Sequence, residues 1–266
     1  MLAPTLVFNL PAKLWKLEPD PYSDWLSIEL RSKEKRTVAF YGLDLSSPNP
    51  VLRPISTHSD WWQGILATWR GKMILQKFGD PGLPLRRGVS TWDLASCREV
   101  WMNPDWTAEG PFEDEILLRD PTRPDRLASA ELHTGKIQAV EPVNWQQALA
   151  QSRQVRFQDV GLPQVQSLLE EDDALIPEML QPYVEGPTPV QIAAHTWKNF
   201  DLLSWYQPKL QQGYRHELGI FYQGELVKSF VLEEAASSFS LDPFMRYRDR
   251  MITFDDQQRL LIQSLI

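Results

Sequence analysis

The dominant pattern along the chain is a short alternation of apolar and polar residues, interrupted every few positions by Pro, Gly or Asp. Residues 26–31 alternate in this way and are followed, after a charged tip, by a second such run over 37–45. Two runs with a period of two that are joined by a polar turn predict a β-hairpin. The same pattern predicts further hairpins over 64–78, 88–101, 126–140, 190–206, 217–232 and 250–265.

The middle of the chain differs, because glycine becomes scarce there while Gln, Glu and Leu become common. Asn144 is expected to cap a helix over 145–153, and Pro163 is expected to begin a second short helix. Four prolines between residues 177 and 189 exclude a long helix in that part. We therefore predict a short helical and loop insert at about 145–189.

Three of the hairpins share an acidic residue followed by Leu and a small polar turn, at Asp44, Asp93 and Glu131. We expect each acidic side chain to bond the local backbone and tighten its turn. The interval between these sites is close to the roughly 40–50 residues of a four-stranded propeller blade. We predict a single all-β, propeller-like domain over residues 1–266, with about five blades, some of them degenerate. Two packed β-sandwiches are the alternative.

The segment 88–101 resembles the blade motif of quinoprotein-like and WD40-type propellers. Cys97 stands where that motif has glycine, whereas Gly135 keeps the glycine in its own hairpin. The resemblance implies a propeller fold and does not imply a bound quinone. Over nearly its full length the chain also resembles a family of uncharacterised bacterial proteins, known only as a domain of unknown function, on residues 14–17, 61–62, 79–84 and 244–254. That family implies no activity and no catalytic residue.

Composition and charge exclude several classes of protein. The chain has 266 residues, 42% of them hydrophobic, and a net charge of −8. These values are typical of a globular protein, and the negative charge argues against a nucleic-acid partner. No apolar run approaches the roughly 18 residues of a membrane span, and the N-terminus does not read as a signal peptide. Because Cys97 cannot form an internal disulfide, we predict a cytoplasmic location.

Motifs for catalysis, metal binding or cofactor binding are not found. The sequence contains no nucleophile elbow, phosphate-binding loop or dinucleotide-binding glycine motif. The acidic runs at 113–115 and 170–173 lack the spacing of a calcium loop. His58 and Asp60 form the one compact His/Asp pair, for which the alternative is a loop where Asp60 caps a turn. We expect no catalytic residue, no metal ion and no cofactor.

Tryptophans are the best functional lead, and the chain has 11 of them. Trp61 and Trp62 are adjacent, so in a strand they would face opposite sides of the sheet. Trp106 follows Asp105 in a segment rich in Pro and Asp, which indicates partial exposure. Exposed Trp beside carboxylates is typical of a surface that stacks sugars or anchors peptides. Packing between blades is the alternative for the set.

These observations favour a non-catalytic binding or scaffold module that presents propeller loops to a protein or small-molecule partner. The candidate binding residues are Trp61, Trp62, Trp106, His58, Asp60 and Asp105. The alternative is a carbohydrate-active enzyme or sugar-binding protein, which would combine the Trp platforms with Asp60, Asp105 and Glu109.

Overall fold

The computed structural model describes residues 2–55, 61–78, 86–168, 176–184, 187–209, 213–240 and 243–266. The chain divides into two compact units, which we call the N-terminal unit (Pro11–Asp159) and the C-terminal unit (Met1–Leu10 with Val160–Ile266). The first strand, β1 (Leu6–Asn9), belongs to the C-terminal unit.

Three four-stranded antiparallel sheets form the N-terminal unit. The first contains β2 (Lys13–Pro19), β3 (Trp25–Ser32), β4 (Thr37–Asp44) and β5 (Arg53–Ile55). The second contains β6 (Gln63–Trp69), β7 (Lys72–Phe78), β8 (Arg86–Asp93) and β9 (Arg98–Asn103). The third contains β10 (Thr107–Phe112), β11 (Glu115–Arg119), β12 (Leu127–Glu131) and β13 (Ile137–Ala139), and it is followed by the helix α1 (Pro142–Arg156).

Two five-stranded antiparallel sheets form the C-terminal unit. One contains β15 (Gln164–Ser167), β16 (Gln191–Trp197), β17 (Phe200–Pro208), β18 (Tyr214–Tyr222) and β19 (Glu225–Ala236). The other pairs β1 with β22 (Arg259–Ser264) and continues through β21 (Arg250–Phe254), β20 (Phe244–Tyr247) and β14 (Val160–Gly161). This last sheet therefore takes strands from both ends of the chain.

The predicted all-β, propeller-like fold with about five blades is confirmed. Each of the three sheets of the N-terminal unit, and the β15–β19 sheet, pairs its strands in chain order. That order is the up-and-down topology of a propeller blade, whereas a β-sandwich uses Greek-key connections. The organisation of residues 1–266 as a single domain stays a prediction.

The acidic turns form as the sequence predicts at Asp44 and Asp93, whereas the hydrogen bond that the structure describes for the Glu131 side chain is with a turn hydroxyl and not with the backbone. Asp44 Oδ1 accepts hydrogen bonds from the backbone N–H and the hydroxyl of Ser46, at 3.0 and 2.6 Å. Asp93 Oδ1 accepts the equivalent pair from Ser96, both at 2.7 Å. Thr134 Oγ1 donates to Glu131 Oε2 at 2.6 Å. These local bonds tighten three of the hairpins.

Glycine is replaced at several turn positions that have positive φ. Cys97, where the blade motif has glycine, has a φ of 55°. Gly135 has a φ of 71°, and a Cβ added there would come within 2.7 Å of the Trp101 ring. The glycine is therefore retained where both the backbone conformation and a close indole require it, and side chains are tolerated elsewhere.

The helical insert differs in detail from the prediction. Helix α1 begins at Pro142 and its N-cap is Glu141, so Asn144 lies inside the helix and does not cap it. Proline fixes the backbone φ that the first helical turn needs, which explains the earlier start. The helix expected from Pro163 is wrong, because residues 164–167 form β15 and pair with β16.

Apolar side chains pack between neighbouring sheets within each unit. One cluster joins Phe40 of β4 to Leu75 of β7, and another joins Ile74 of β7 to Ile116 of β11. In the C-terminal unit, Leu202 of β17 packs in one cluster with Met251 of β21. Five tryptophans are buried, namely Trp69, Trp92, Trp106, Trp145 and Trp205. No helix among the described residues is long and apolar enough to cross a membrane.

Candidate functional site

The sheets of the N-terminal unit have two ends, and functional candidates gather at one of them. Strands β2, β6 and β10 begin at the end that we call the Trp61 end, and they finish at the end that we call the Asp20 end. Trp61 and Trp62 directly precede β6, and Asp105 and Trp106 directly precede β10, so the structure places all four at the Trp61 end. His58 and Asp60 lie outside the described residues.

An aromatic platform forms around one arginine. The Arg31 guanidinium carbon lies 5.1 Å from the Trp15 ring centroid and 5.0 Å from the Trp61 ring centroid. Trp15 is 55% exposed and Trp62 is 39% exposed. Trp61 and Trp62 lie in the turn before β6, so the expectation for a strand, with rings on opposite faces, does not apply. We call Trp15 and Trp61, together with the exposed Trp62 that follows Trp61 in the chain, the Trp15 platform.

Arg31 is held in place by a buried carboxylate and two backbone carbonyls. Its Nε donates to Glu29 Oε1 at 2.6 Å, and its two terminal nitrogens donate to the carbonyls of Trp61 and Gln63 at 2.9 and 2.8 Å. Glu29 is 1% exposed, and its second oxygen accepts the Ile65 N–H at 2.8 Å. Each guanidinium nitrogen and each carboxylate oxygen of this ion pair therefore has a partner, and the pair holds Arg31 against the rings of Trp15 and Trp61.

The expected exposure of Trp106 is wrong, because its side chain is 8% exposed. It packs in the cluster that joins the second and third sheets, together with Trp69 and Ile116. The Arg126 guanidinium carbon lies 5.0 Å from its ring centroid. A tryptophan that fills the gap between two sheets offers little of its ring to a ligand. The contact that Trp106 makes with a charged group is with Arg126, whose guanidinium lies over the ring.

Asp105 lies between two adjoining cavities, which we together call the Arg87 groove. The larger has a volume of about 530 Å³ and is lined in part by Val89, Met102 and Pro104. The smaller has a volume of about 360 Å³ and is lined by Arg87, Asp105, Trp106, Asp120, Pro121, Thr122 and Arg126. Arg87 and Asp105 line both cavities and form an ion pair at 2.7 Å.

Asp120 is held ionised in the smaller cavity. Its Oδ1 accepts hydrogen bonds from the hydroxyl and backbone N–H of Thr122, at 2.7 and 2.9 Å, and from the Arg123 N–H at 3.1 Å. These hydrogen bonds hold the pKa of Asp120 well below its usual range, and the bond from the Thr122 hydroxyl has the largest effect. A carboxyl group in this state cannot serve as a general acid near neutral pH.

The other carboxylates that the sequence suggested for an enzyme are placed differently. Glu109 lies in β10 and forms an ion pair with Arg119 at 3.0 Å. Asp60 lies outside the described residues. Among the described residues, no group of three or more His, Cys, Asp or Glu side chains could hold a metal ion.

Charge is distributed unevenly between the two ends of the N-terminal unit. The turns of the Asp20 end carry mainly carboxylates, among them Asp24, Asp44, Asp93, Glu113, Asp114 and Glu131. The turns and strand termini of the Trp61 end carry more cations than carboxylates among the described residues, with Lys33, Lys35, Arg36, Lys77, Arg86, Arg87, Arg123 and Arg126 against Glu34, Asp105, Asp120 and Asp125. The Trp61 end therefore favours anionic ligands although the whole chain has a net charge of −8.

The comparison with protein families identifies one part of the chain. Residues 19–101 match the model of a domain of unknown function, DUF4905. The matched region contains Arg31, Trp61 and Trp62, whereas Trp15, Asp105 and Trp106 lie outside it. A search of curated proteins found no significant match.

Several solved structures are similar to this chain at low identity. BamB from Moraxella catarrhalis is 8% identical, with a TM-score of 0.23, over 91% of this chain and 64% of that protein. A post-proline cleaving enzyme from Rickettsia typhi is 10% identical, with a TM-score of 0.30, over 83% and 28% respectively. A europium-containing methanol dehydrogenase is 10% identical, with a TM-score of 0.29, over 96% and 50%. The chain spans less than two thirds of the length of each, and no activity is transferred to it.

Sequence reasoning missed a buried polar pair in the C-terminal unit. Ser204 Oγ of β17 lies 2.7 Å from His216 Nε2 of β18, and the Tyr206 ring stacks on the imidazole at 4.0 Å between centroids. Tyr206 pairs directly with His216 in the sheet, which places all three side chains on one face. Ser204 is 1% exposed. Because a nucleophile must reach its substrate, we interpret this pair as a hydrogen bond of the core.

Acidification is expected to destabilise the protein through His216. Burial lowers the pKa of His216 from 6.5 to about 4, so the folded state binds this proton less readily than the unfolded chain. The free energy of unfolding is then highest above pH ~6.5 and falls as the pH drops toward 4, by roughly 2–3 kcal/mol for this group. Urea unfolding at a series of pH values measures the slope.

The control for this prediction separates His216 from the carboxylates that titrate in the same range. His216→Gln is expected to be less stable at pH 7 and to lose less stability on acidification than the wild type. His133→Gln changes an exposed histidine and is expected to leave the slope unchanged. Equal slopes for the wild type and His216→Gln would contradict the prediction.

Proposed function

We propose that this protein is a non-catalytic binding module that engages a protein partner at the Trp61 end of its N-terminal unit. The Trp15 platform carries the proposal. Indole rings that are both exposed and held in place are typical of the residues that dominate protein–protein affinity. We include in the proposal a cytoplasmic location, which is supported by the lack of any cysteine besides Cys97.

The Trp15 platform is suited to binding because Arg31 holds the rings that pack on it in place before a partner binds. Arg31 is 10% exposed in its side chain and bonds Glu29 together with the Trp61 carbonyl. A ring that already lies against a fixed guanidinium loses little conformational freedom when a partner packs against it. The exposed area of Trp15 is therefore available for contact at a small entropic cost, and Trp62 adds a second exposed indole.

A sugar-processing enzyme is the second candidate, because Asp105 and Asp120 line one cavity with Trp106. Three observations disfavour catalysis there. Asp105 is paired with Arg87, the pKa of Asp120 is lowered, and Trp106 is 8% exposed, which leaves too little of its ring open for stacking. A glycosidase needs one carboxyl group whose pKa is raised so that it can protonate the leaving group. Sugar binding by Trp15 and Trp62 without catalysis is tested by the experiment below.

The double variant Trp15→Ala/Trp62→Ala is expected to lose its protein partners. Purified wild-type protein and the variant are each immobilised and exposed to lysate of the source organism, and captured proteins are quantified by mass spectrometry. We expect a set of proteins that is enriched by the wild type and reduced about tenfold or more by the variant. A glycan array run with the same two proteins tests the sugar-binding alternative.

Tyr22→Ala is the matched control, because Tyr22 is an aromatic residue of the Asp20 end with 43% exposure. It is expected to retain the captured set. If the platform variant and the Tyr22 variant behave alike, the Trp61 end is not the binding surface. Binding to glycans that depends on Trp15 and Trp62, with no protein captured, would replace the proposal by the sugar-binding alternative.

A further inference from the structure

We propose that the Arg87 groove binds an acidic segment of a partner polypeptide, with a carboxylate held between Arg87 and Arg126. The inference rests on the proposed function and adds to it the chemistry of the partner and the residues that select it. Four observations support it, namely the state of the two arginines, the surplus of cations around the groove, the apolar lining of its larger cavity, and the positions of Asp105 and Asp120.

The two arginines face the same small cavity and remain accessible. Their side chains are 56% exposed for Arg87 and 54% exposed for Arg126. Arg126 contacts Asp120 Oδ2 at 3.4 Å, which is long for a charge-assisted hydrogen bond. A ligand carboxylate that approaches to the usual 2.7–2.9 Å would therefore be a stronger partner for Arg126 than Asp120 is.

The position of Arg126 is restricted by contact with the ring of Trp106. Its guanidinium lies 5.0 Å from the centroid of the buried Trp106 ring, so the indole restricts the side chain without occupying its N–H groups. Planar guanidinium groups bind carboxylates through paired N–H donors. Both groups line one cavity of about 360 Å³, which has room for a carboxylate side chain of a ligand.

The charge around the groove favours an anion. Lys77 and Arg87 line it together with Arg126, whereas the carboxylates that line it are Asp105 and Asp120. Directly beside lining residues in the sequence lie two more cations, Arg86 and Arg123, and one more carboxylate, Asp125. This surplus of cations among the described residues contrasts with the net charge of −8 for the whole chain. Charge complementarity of this kind speeds association and selects partners of opposite sign.

The larger cavity indicates a polypeptide and not a nucleic acid. Its lining includes Val89, Pro104 and Met102, and Met102 is 64% exposed, so an apolar side chain can pack there. Asp105 and Asp120 stand next to the two arginines and would repel a continuous row of phosphates. A polypeptide that alternates apolar and acidic residues avoids this repulsion, because its carboxylates are spaced apart.

Labelled peptides test the inference directly. The probes are a fluorescein-labelled peptide that repeats Leu-Glu-Ser, a matched peptide that repeats Leu-Gln-Ser, and a labelled oligothymidine. We expect fluorescence anisotropy to show binding of the Glu peptide at least about tenfold tighter than that of the Gln peptide at low salt. The difference is expected to shrink at raised salt, because exposed charges are screened.

Substitutions then locate the binding site. Arg87→Gln/Arg126→Gln is expected to weaken the Glu peptide about tenfold and to leave the Gln peptide nearly unchanged. Arg98→Gln/Arg153→Gln removes two exposed arginines of the same unit outside the groove and serves as the charge-matched control. Asp105→Asn releases Arg87 from its ion pair and is expected to tighten the Glu peptide severalfold, a gain that misfolding cannot produce.

Four results would overturn the inference. These are absence of Glu-peptide binding, equal affinity for the Glu and Gln peptides, equal losses in the groove and control variants, or tighter binding of oligothymidine with loss in the groove variant. Trp15→Ala/Trp62→Ala separates the two proposals. If that variant loses partners while the groove variant retains Glu-peptide affinity, the platform proposal stands and the groove inference fails.

Discussion

Asp20→Ala is expected to lower the free energy of unfolding by about 3–5 kcal/mol, because it removes the acceptor of a buried hydrogen-bond network. Asp20 is 0% exposed. Its Oδ1 accepts the N–H groups of Tyr22 and Arg70 at 2.9 and 3.0 Å, and its Oδ2 accepts the Ser23 hydroxyl and the Gly71 N–H at 2.6 and 2.5 Å.

The size of this effect follows from what the carboxylate connects. Tyr22 and Ser23 belong to the turn before β3, whereas Arg70 and Gly71 form the turn between β6 and β7. One side chain therefore joins the first two sheets of the N-terminal unit. Its removal leaves backbone N–H groups of both turns without their acceptor, and each such group costs about 1–3 kcal/mol when it is buried.

Urea unfolding followed by tryptophan fluorescence measures the loss. Asp44→Ala is the matched control, because the hydrogen bonds that Asp44 accepts from described residues come from Ser46 within one turn. The control is expected to cost about 1 kcal/mol or less. Asp20→Asn keeps one side-chain acceptor and is expected to fall between the two. Similar losses for Asp20→Ala and Asp44→Ala would show that the connection between sheets contributes nothing.

Glu29→Ala is expected to cost about 3–5 kcal/mol and to loosen the Trp15 platform, because it leaves the charge of Arg31 without its buried partner. The Glu29 side chain is 2% exposed and that of Arg31 is 10% exposed. The same change removes the acceptor of the Ile65 N–H. Without Glu29, only the carbonyls of Trp61 and Gln63 would hold the guanidinium between the indoles.

Two measurements check this prediction, namely urea unfolding and quenching of tryptophan fluorescence by acrylamide. We expect Glu29→Ala to lose stability and to become more accessible to acrylamide under native conditions. Glu109→Ala breaks an ion pair with Arg119 in which the side chains are 29% and 34% exposed, and it is expected to cost about 1 kcal/mol at most. A Glu29→Ala variant that behaves like Glu109→Ala would contradict the role assigned to the buried pair.

The hairpins and the insert show how far local pattern extends. The run over 37–45 corresponds to β4 (Thr37–Asp44), and the acidic turns at Asp44 and Asp93 form as expected. For residues 164–167 the local pattern predicts the wrong element. Val165 and Leu168 have a helical spacing, but the segment is a strand that pairs with β16. The pairing partner lies more than 20 residues away in the sequence, so local spacing could not reveal it.

The candidate site was also predictable only in part from the sequence. The sequence predicts a hairpin from residue 64, just after Trp61 and Trp62, and it places Asp105 and Trp106 in a segment rich in Pro and Asp. The structure shows that all four directly precede strands that start at one end of the N-terminal unit. The sequence could not predict that Trp106 is buried or that Trp15 is 55% exposed. Burial depends on which sheet packs against the ring, and neither the neighbouring residues nor their polarity carry that information.

The amino-acid sequence by itself determined the hairpins, the acidic turns and the all-β, propeller-like class of this protein. Those features arise from alternation with a period of two and from hydrogen bonds between residues a few positions apart. Only the tertiary structure decided that Arg31 joins Trp61 across 30 positions and that Asp20 joins Gly71 across 51. Such contacts form when sheets pack against each other, and packing brings together residues whose separation along the chain gives no sign of their proximity.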